Sequence, residues 1–286
     1  MSASALIEAG ELHQKMKASS GPHPKIVDAS YSLSPSGLSP FSHFQNQRIA
    51  GAVFFDIDDI ADPAATLPHT LPDAALFEEK MRELGINQDD EIIIYDQTGI
   101  AFAAARAWWM FRVFGHENVR ILNGGLPAWQ AQNYPLIQET YKPAGHGNFK
   151  ADFQPALLDH LDDIVRMSEE GGCIIDARPP DRFAGQAADI RSGMKSGHIP
   201  GSHNIFFMDL IDSQTGKLKK EAELKQILLP YLGSGPKITC SCGSGVTACV
   251  LAMALYECGI ANAAVYDGSW AEWGNKNIDM PIETLK

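Results

Sequence analysis

The stretch Lys237-Ile-Thr-Cys-Ser-Cys242-Gly-Ser-Gly-Val-Thr247 decides the fold of the second half of this chain. A strand-like run, residues 237–240, leads into a Gly-Ser-Gly loop, and a helix-like apolar run, residues 246–258, follows it. In such a strand–loop–helix unit the backbone N–H groups of the loop tend to point inward, and the first helical turn adds its unpaired donors. The stretch therefore predicts an α/β unit whose loop can hold negative charge beside the thiol of Cys242.

A thiol in this loop is a candidate nucleophile. It should lose its proton more readily than a free thiol, and the thiolate is the reactive form. Cys240, Cys249 and Cys258 lie in the strand or on the helix, where a cysteine is usually a small buried hydrophobic residue. We interpret Cys242 as the nucleophile. Its loop position alone also allows it to be a small buried hydrophobic residue like the other cysteines.

The composition of the 286 residues predicts a globular protein with a sizeable core, because 45% of them are hydrophobic. The formal net charge of −12 argues against a nucleic acid or an anionic membrane surface as a partner. The apolar run 249–256 is too short to cross a bilayer. The N-terminus also lacks the basic start and long apolar core of a signal peptide. We therefore expect a cytoplasmic protein with no nucleic-acid partner and no membrane association.

The five cysteines fit neither a disulfide framework nor a metal site. Their number is odd, which is not typical of a disulfide-stabilised domain. No Cys-x2-Cys pair or Cys/His cluster has zinc spacing, and Cys240 and Cys242 are too close together for a tetrahedral site. We expect no metal.

The order of predicted strands and helices in the first half of the chain recurs in the second half. Landmarks keep a nearly constant separation: Gly115 and Gly259 (259 − 115 = 144), Trp129 and Trp273 (273 − 129 = 144), and Gly51 and Gly201 (201 − 51 = 150). The alternation of strands and helices predicts an α/β fold with two tandem domains, each a mostly parallel sheet flanked by helices. The polar stretch 138–154 is typical of a linker, so the predicted domains are residues 1–137 and 155–286.

The two halves differ at the loop that follows the strand. Where the second half has the thiol, the first half has Asp96-Gln-Thr-Gly-Ile-Ala101. We therefore predict one active centre per chain, in residues 155–286. The first domain is expected to be a non-catalytic scaffold that adds one wall of the cleft.

Two further local patterns make predictions of their own. The segment from Ser30 to Gln47 is rich in serine and proline, which predicts a loop. Ser269 and Glu272 have the spacing of a capping box, in which two side chains satisfy N–H groups at the start of a helix.

Short motifs along nearly the whole chain resemble those of the tandem-domain rhodanese-like sulfurtransferases. They are Asp176-Ala-Arg178, Gly197-His-Ile-Pro-Gly201, Cys242-Gly-Ser-Gly-Val-Thr247 and Asp267-Gly-Ser-Trp270 in the second half, and Ala107-Trp-Trp-Met-Phe-Arg-Val-Phe-Gly115 and Asn123-Gly-Gly-Leu-Pro-Ala-Trp129 in the first. Each motif is weak alone, but their order and spacing together are specific. The resemblance implies two rhodanese-like domains, of which the second is catalytic.

This resemblance implies a covalent double displacement at Cys242. The thiolate would take the sulfur of 3-mercaptopyruvate, a small-molecule donor, as an enzyme persulfide and release pyruvate. A thiol, thioredoxin or cyanide would then accept the sulfur, and the reaction needs no cofactor.

The residues after the cysteine distinguish sulfur donors within the family. Thiosulfate-preferring members carry cationic residues there, whereas Gly243, Ser244 and Gly245 are uncharged. A neutral loop with a hydroxyl group suits an α-keto acid, and Ser244 is expected to relay a proton or donate a hydrogen bond at the thiol. Both glycines, with Val246 and Thr247, complete the predicted substrate-binding loop.

By the same resemblance, Arg182 and Arg191 match the substrate-binding arginines of the family. A guanidinium group holds a carboxylate with two hydrogen bonds, which a lysine cannot do. The stretch 186–191 departs from the acidic, proline-containing pattern that the family has before its second arginine. A solvated surface charge remains the alternative for both residues.

Asp58 and His69 match an acidic residue and a histidine that the family places near the cleft from its first domain. Their separation of eleven residues carries little information by itself (69 − 58 = 11). A solvent-exposed histidine and a helix-flanking aspartate remain the alternative.

Three other functions remain to be weighed. The first is a thiosulfate:cyanide sulfurtransferase, and the second is a sulfur carrier that is loaded but does not turn over. The third is a cysteine-dependent phosphatase, which requires Cys-x5-Arg to neutralise the transferring phosphoryl group. Position 248 is alanine, so the sequence argues against the phosphatase.

Overall fold

Each half of the chain folds around a five-stranded sheet in which all neighbouring strands are parallel. The computed structural model describes residues 4–32, 39–141, 145–232 and 237–285. Residues 142–144 of the predicted linker lie outside the described residues.

The first sheet has the strand order β1-β5-β4-β2-β3. Its strands are β1 (Leu6–Ile7), β2 (Lys25–Asp28), β3 (Val53–Phe54), β4 (Ile92–Tyr95) and β5 (Val119–Leu122). The helices of this half are α1 (Ala9–Lys17), α2 (Pro40–Asn46), α3 (Ile57–Ile60), α4 (Ala74–Glu83), α5 (Phe102–Val113) and α6 (Gly125–Ala131).

The second sheet has the order β6-β10-β9-β7-β8, which is the first order with every number raised by five. Its strands are β6 (Leu158–Asp159), β7 (Cys173–Asp176), β8 (His203–Asn204), β9 (Ile238–Ser241) and β10 (Ala264–Tyr266). The helices are α7 (Leu161–Glu170), α8 (Pro180–Phe183), α9 (Glu221–Leu228), α10 (Ala248–Glu257) and α11 (Ser269–Trp273), with short 3₁₀ turns at Pro155–Leu157, Phe207–Leu210 and Leu229–Tyr231. The predicted fold class, two tandem α/β domains with parallel sheets, is confirmed.

Helices α5 and α10 join the two halves by packing against each other. Eleven of the twelve residues of α5 are buried, as are eight of the ten residues of α10. A helix that is apolar on all sides is buried on all sides, so each helix covers its own sheet and contacts the other domain. The start of α10, which follows the Cys242 loop, therefore lies against the first domain.

Residues 145–154 of the predicted linker follow the surface of the first domain. Phe149 is fully buried, and its N–H donates to the carbonyl of Ile86 at 3.2 Å. Further along, Gln154 N–H donates to Val113 O at 2.7 Å. The segment is thus held by backbone hydrogen bonds along most of its length.

The predicted loop from Ser30 to Gln47 contains helix α2, so that prediction was wrong over residues 40–46. Ser39 caps this helix by accepting a hydrogen bond from Ser42 N at 3.2 Å, and Pro40 is its first residue. Serine followed by proline is a common helix start, and we had interpreted the pair only as a loop signal. Residues 33–38 lie outside the described part of the chain.

Candidate active site

Cys242 lies in the loop between β9 and α10 and is only 1% exposed. It lines a cavity of about 170 Å³ that Arg182, Arg191 and Ser244 also line. Cys242 thus lines a small, mostly apolar cavity, and both predicted arginines line the same space. Burial raises the pKa of the Cys249 thiol on α10, so that sulfur stays protonated at neutral pH.

The hydroxyl of Ser269 fixes the shape of the Cys242 loop. Its Oγ accepts hydrogen bonds from the N–H groups of Cys242 and Gly245, both at 3.1 Å, and donates to Tyr266 O at 2.7 Å. Trp270 N–H also donates to Cys242 O at 3.0 Å. The first turn of α11 therefore holds the Cys242 loop in place through these hydrogen bonds.

This arrangement corrects the capping-box prediction for Ser269 and Glu272. No side-chain hydrogen bond caps α11; Glu272 instead accepts from Tyr266 Oη at 2.8 Å. The spacing of the two residues was the signal for a cap, but the neighbouring Cys242 loop supplies better partners for the serine.

Four residues of the Cys242 loop line the cavity: Gly243, Ser244, Val246 and Thr247. Within the described ranges no acceptor receives a hydrogen bond from their N–H groups. Unpaired amides beside a thiol form a site for negative charge. Gly245, also predicted to bind substrate, does not line the cavity, and its N–H donates to Ser269 Oγ.

Arg191 lies directly on the loop. Its Nη2 donates to Ser244 Oγ at 2.8 Å, and Nη1 is 3.5 Å from Asp189 Oδ1. A Cβ placed on Gly243 would come within 3.0 Å of Nη1, so the absence of a side chain there gives the guanidinium its place. The arginine with the less certain sequence match is thus the one tied to Ser244.

Arg182, on α8, is half-buried at the other side of the cavity. Among the residues that the structure describes, it has no carboxylate within ion-pair distance. A cation in a cavity without a protein counter-ion is suited to binding an anionic ligand.

Asp58 and His69 contact each other in the first domain. His69 Nδ1 donates to Asp58 Oδ1 at 2.9 Å, and Nε2 lies 3.3 Å from Tyr31 Oη. Burial lowers the pKa of His69, and the charges of Arg106 and Arg191 lower it further against the opposing effect of Asp58. The neutral ring therefore carries its proton on Nδ1, and Nε2 accepts from the tyrosine hydroxyl. Nothing in the sequence pattern singled out Tyr31.

The corresponding first-domain loop holds a carboxyl group in place of the thiol. Asp96 occupies the place of Cys242 when the glycines 99 and 245 are matched (245 − 99 = 146, 242 − 96 = 146). Its Oδ1 accepts from Thr98 N at 3.0 Å, Thr98 Oγ1 at 2.7 Å and Gly99 N at 2.8 Å. Thr98, which matches Ser244, therefore has its N–H group satisfied within the loop. A single reactive centre in the second domain stays a prediction.

No helix among the described residues is long and apolar enough to cross a membrane. No group of three or more histidine, cysteine, aspartate or glutamate side chains is placed to hold a metal ion in the same ranges.

The family model for the rhodanese-like domain matches residues 8–132 and again residues 160–276. The chain belongs to the rhodanese family. Both rhodanese-like domains thus coincide with the two sheets, and the Cys242 loop lies in the second match.

Relatives with this pair of rhodanese-like domains are similar over most of their length. The chain is 40% identical to thiosulfate/3-mercaptopyruvate sulfurtransferase 1, mitochondrial, of Arabidopsis thaliana, over 93% of this chain and 75% of that protein. It is 43% identical to 3-mercaptopyruvate sulfurtransferase of Escherichia coli strain K12, over 85% of each chain. The crystal structure of SseA from Escherichia coli superposes with a TM-score of 0.83 at 37% identity, covering 94% of this chain and all of that one (100%). The enzyme class is that of the sulfurtransferases.

Proposed function

We propose that this chain transfers the sulfur of 3-mercaptopyruvate to a thiol acceptor through a persulfide on Cys242, and that it releases pyruvate. One observation carries the proposal: Cys242, Arg182, Arg191 and four loop residues whose N–H groups have no acceptor among the described residues line one cavity of about 170 Å³. The name of the Escherichia coli relative gives 3-mercaptopyruvate as its donor, which supports the same donor here, whereas the name of the Arabidopsis relative gives both thiosulfate and 3-mercaptopyruvate.

In the first half-reaction the Cys242 thiolate attacks the sulfur of 3-mercaptopyruvate. A sulfur–sulfur bond forms and the carbon–sulfur bond breaks, so that its electron pair leaves with the carbon as the enolate of pyruvate. One proton then converts the enolate into pyruvate. In the second half-reaction an acceptor thiolate attacks the outer sulfur of the persulfide, and the Cys242 thiolate is regenerated.

The residues around the thiol have distinct roles in this proposal. The free amides of Gly243 and its neighbours stabilise negative charge on the attacking sulfur and on the persulfide. Arg182, which has no counter-ion among the described residues, binds the donor carboxylate, and Arg191 orients Ser244. Because Ser244 Oγ already accepts from Arg191, its own proton is available to donate toward the donor carbonyl.

The donor comparison is the first test. We expect a higher kcat/KM with 3-mercaptopyruvate than with thiosulfate, because positions 243–245 carry no cation to match a compact dianion. Initial rates of pyruvate release and of thiocyanate formation, each measured with cyanide as acceptor, give the two values. A preference for thiosulfate would establish the alternative, a thiosulfate:cyanide sulfurtransferase, and reject the proposal.

The persulfide separates an enzyme from a sulfur carrier. Incubation with 3-mercaptopyruvate should add one sulfur atom to the intact protein, seen by mass spectrometry, and an added thiol should remove it. We expect many molecules of pyruvate per protein when thiol is in excess. Loading followed by a single release would favour the carrier.

The sulfur acceptor and the cellular location are predictions from the sequence and its family resemblance. A small thiol, thioredoxin and cyanide remain the predicted acceptors, and the cytoplasm remains the location predicted from the sequence. Sulfur transfer to reduced thioredoxin, compared with transfer to a small thiol at equal thiol concentration, ranks the acceptors.

A further inference from the structure

A fully buried arginine of the first domain lies behind the Cys242 loop. Arg106, on α5, is 0% exposed and forms an ion pair with Asp267 of the second domain, with 2.7 Å between Nη1 and Oδ1. Its guanidinium carbon also lies 4.6 Å above the ring of Trp109. Replacing a buried ion pair by apolar residues of similar volume often leaves the stability of a protein unchanged or increases it. Its contacts therefore call for an explanation other than stability.

Arg106 and Asp267 each form a hydrogen bond with the main chain at or near His69. Arg106 Nη2 donates to His69 O at 2.6 Å, and Asp267 Oδ2 accepts from Leu71 N at 2.7 Å. His69 has a φ of +59°, a left-handed conformation that is strained in a non-glycine residue and persists only where surrounding contacts enforce it. The ion pair supplies such contacts.

The same guanidinium touches the underside of the Cys242 loop. Arg106 Nη1 is 3.4 Å from Gly245 O. A Cβ on Gly245, where φ is +75°, would lie 2.9 Å from Asp267 O and 3.1 Å from Nη1. The loop therefore rests directly on the ion pair, and one cation joins the segment that carries His69 to the loop that carries Cys242.

We propose that Arg106 is a positioning residue: it holds the His69 segment of the first domain in register with the Cys242 loop, so that the first domain completes the catalytic centre. This inference rests on the proposed function, because it gives His69 a part in sulfur transfer. Arg106 and Asp267 would act on His69 indirectly, through their hydrogen bonds to the main chain of residues 69–71.

The main test is Arg106→Lys, with Arg112→Lys as the matched control. Arg112 is on the same helix, also reaches the second domain through Ala261 O at 2.9 Å, and lies away from the cavity. A lysine keeps the charge but cannot bond to His69 O, Gly245 O and Asp267 together. We expect Arg106→Lys to lower kcat about tenfold or more with KM nearly unchanged, and Arg112→Lys to change neither.

A double-mutant cycle distinguishes positioning from general destabilisation. In the His69→Ala background, where there is no imidazole to position, Arg106→Lys should lower kcat by less than about threefold. An unchanged kcat in the single variant would overturn the proposal, and so would an equal loss with and without the imidazole.

A titration of His69 by NMR provides a readout that needs no turnover. The groups facing the ring are Asp58, Tyr31, Arg106 and Arg191, and the charge of Arg106 lowers the pKa of His69. We therefore expect a higher pKa in Arg106→Gln than in Arg106→Lys, and a pKa in Arg106→Lys close to the wild-type value. An identical pKa in all three would overturn the placement. If wild type released no pyruvate, the proposed function would fail, whereas this titration would still decide where Arg106 lies.

Discussion

We expect Cys242→Ser to abolish pyruvate release from 3-mercaptopyruvate while the fold stays intact. A serine hydroxyl is not ionised at neutral pH and is a far weaker nucleophile than a thiolate, so the expected loss in kcat is about a thousandfold or more. The side chain is nearly isosteric and only 1% exposed, and the loop is held through main-chain bonds to Ser269 that the change leaves in place. Pyruvate release, far-UV circular dichroism and thermal unfolding measure the three parts of this expectation.

Two other cysteines provide matched controls for the same substitution. Cys249→Ser keeps a donor for Gly245 O, to which the thiol now donates at 3.2 Å, and Cys258→Ser changes a half-buried thiol at the end of α10. Both variants should retain turnover. Residual activity above a few per cent in Cys242→Ser, or a complete loss in Cys249→Ser alone, would move the nucleophile to another residue.

The fold could be predicted from the sequence because its signals are local and repeated. Buried parallel strands such as Ile92–Tyr95 are continuous apolar runs, and duplication shows as landmarks at nearly fixed offsets. Helix α2 was missed because Ser39 and Pro40 are as typical of a loop as of a helix start. Only the cover that the helix gives to the first domain, through the buried Phe44, decides between the two.

The local structure around Cys242 could be predicted from the sequence, whereas the distant residues that hold its loop in place could not. The strand, the Gly-Ser-Gly loop and the apolar helix around Cys242 are contiguous in sequence, so their geometry follows from local rules. Ser269 holds that loop from 27 residues away, and Arg106 reaches Gly245 from 139 residues away. Such contacts depend on how two domains pack, which no spacing within one segment records.

The two arginines of the cavity should fail in different ways when truncated. Arg182→Leu removes a cation that no described carboxylate neutralises, so we expect a higher KM for 3-mercaptopyruvate with a smaller change in kcat. A charged hydrogen bond contributes about 1.5–3 kcal/mol, which corresponds to a change of roughly 10- to 100-fold. Arg191→Leu also frees Ser244 from its bond at 2.8 Å, and should therefore lower kcat as well as raise KM.

Conservative and distant variants decide whether these effects come from donor binding. Arg182→Lys keeps the charge without the two-pronged geometry and should recover only part of the lost affinity. Arg166→Leu removes an exposed charge, 61% accessible, whose partner is Asp163 on the same helix, and should leave both kinetic constants unchanged. An unchanged KM in Arg182→Leu would remove that residue from the site. Equal effects of Arg191→Leu in the presence and absence of the Ser244 hydroxyl, tested with Ser244→Ala, would show that Arg191 binds the donor directly and does not act by orienting the serine.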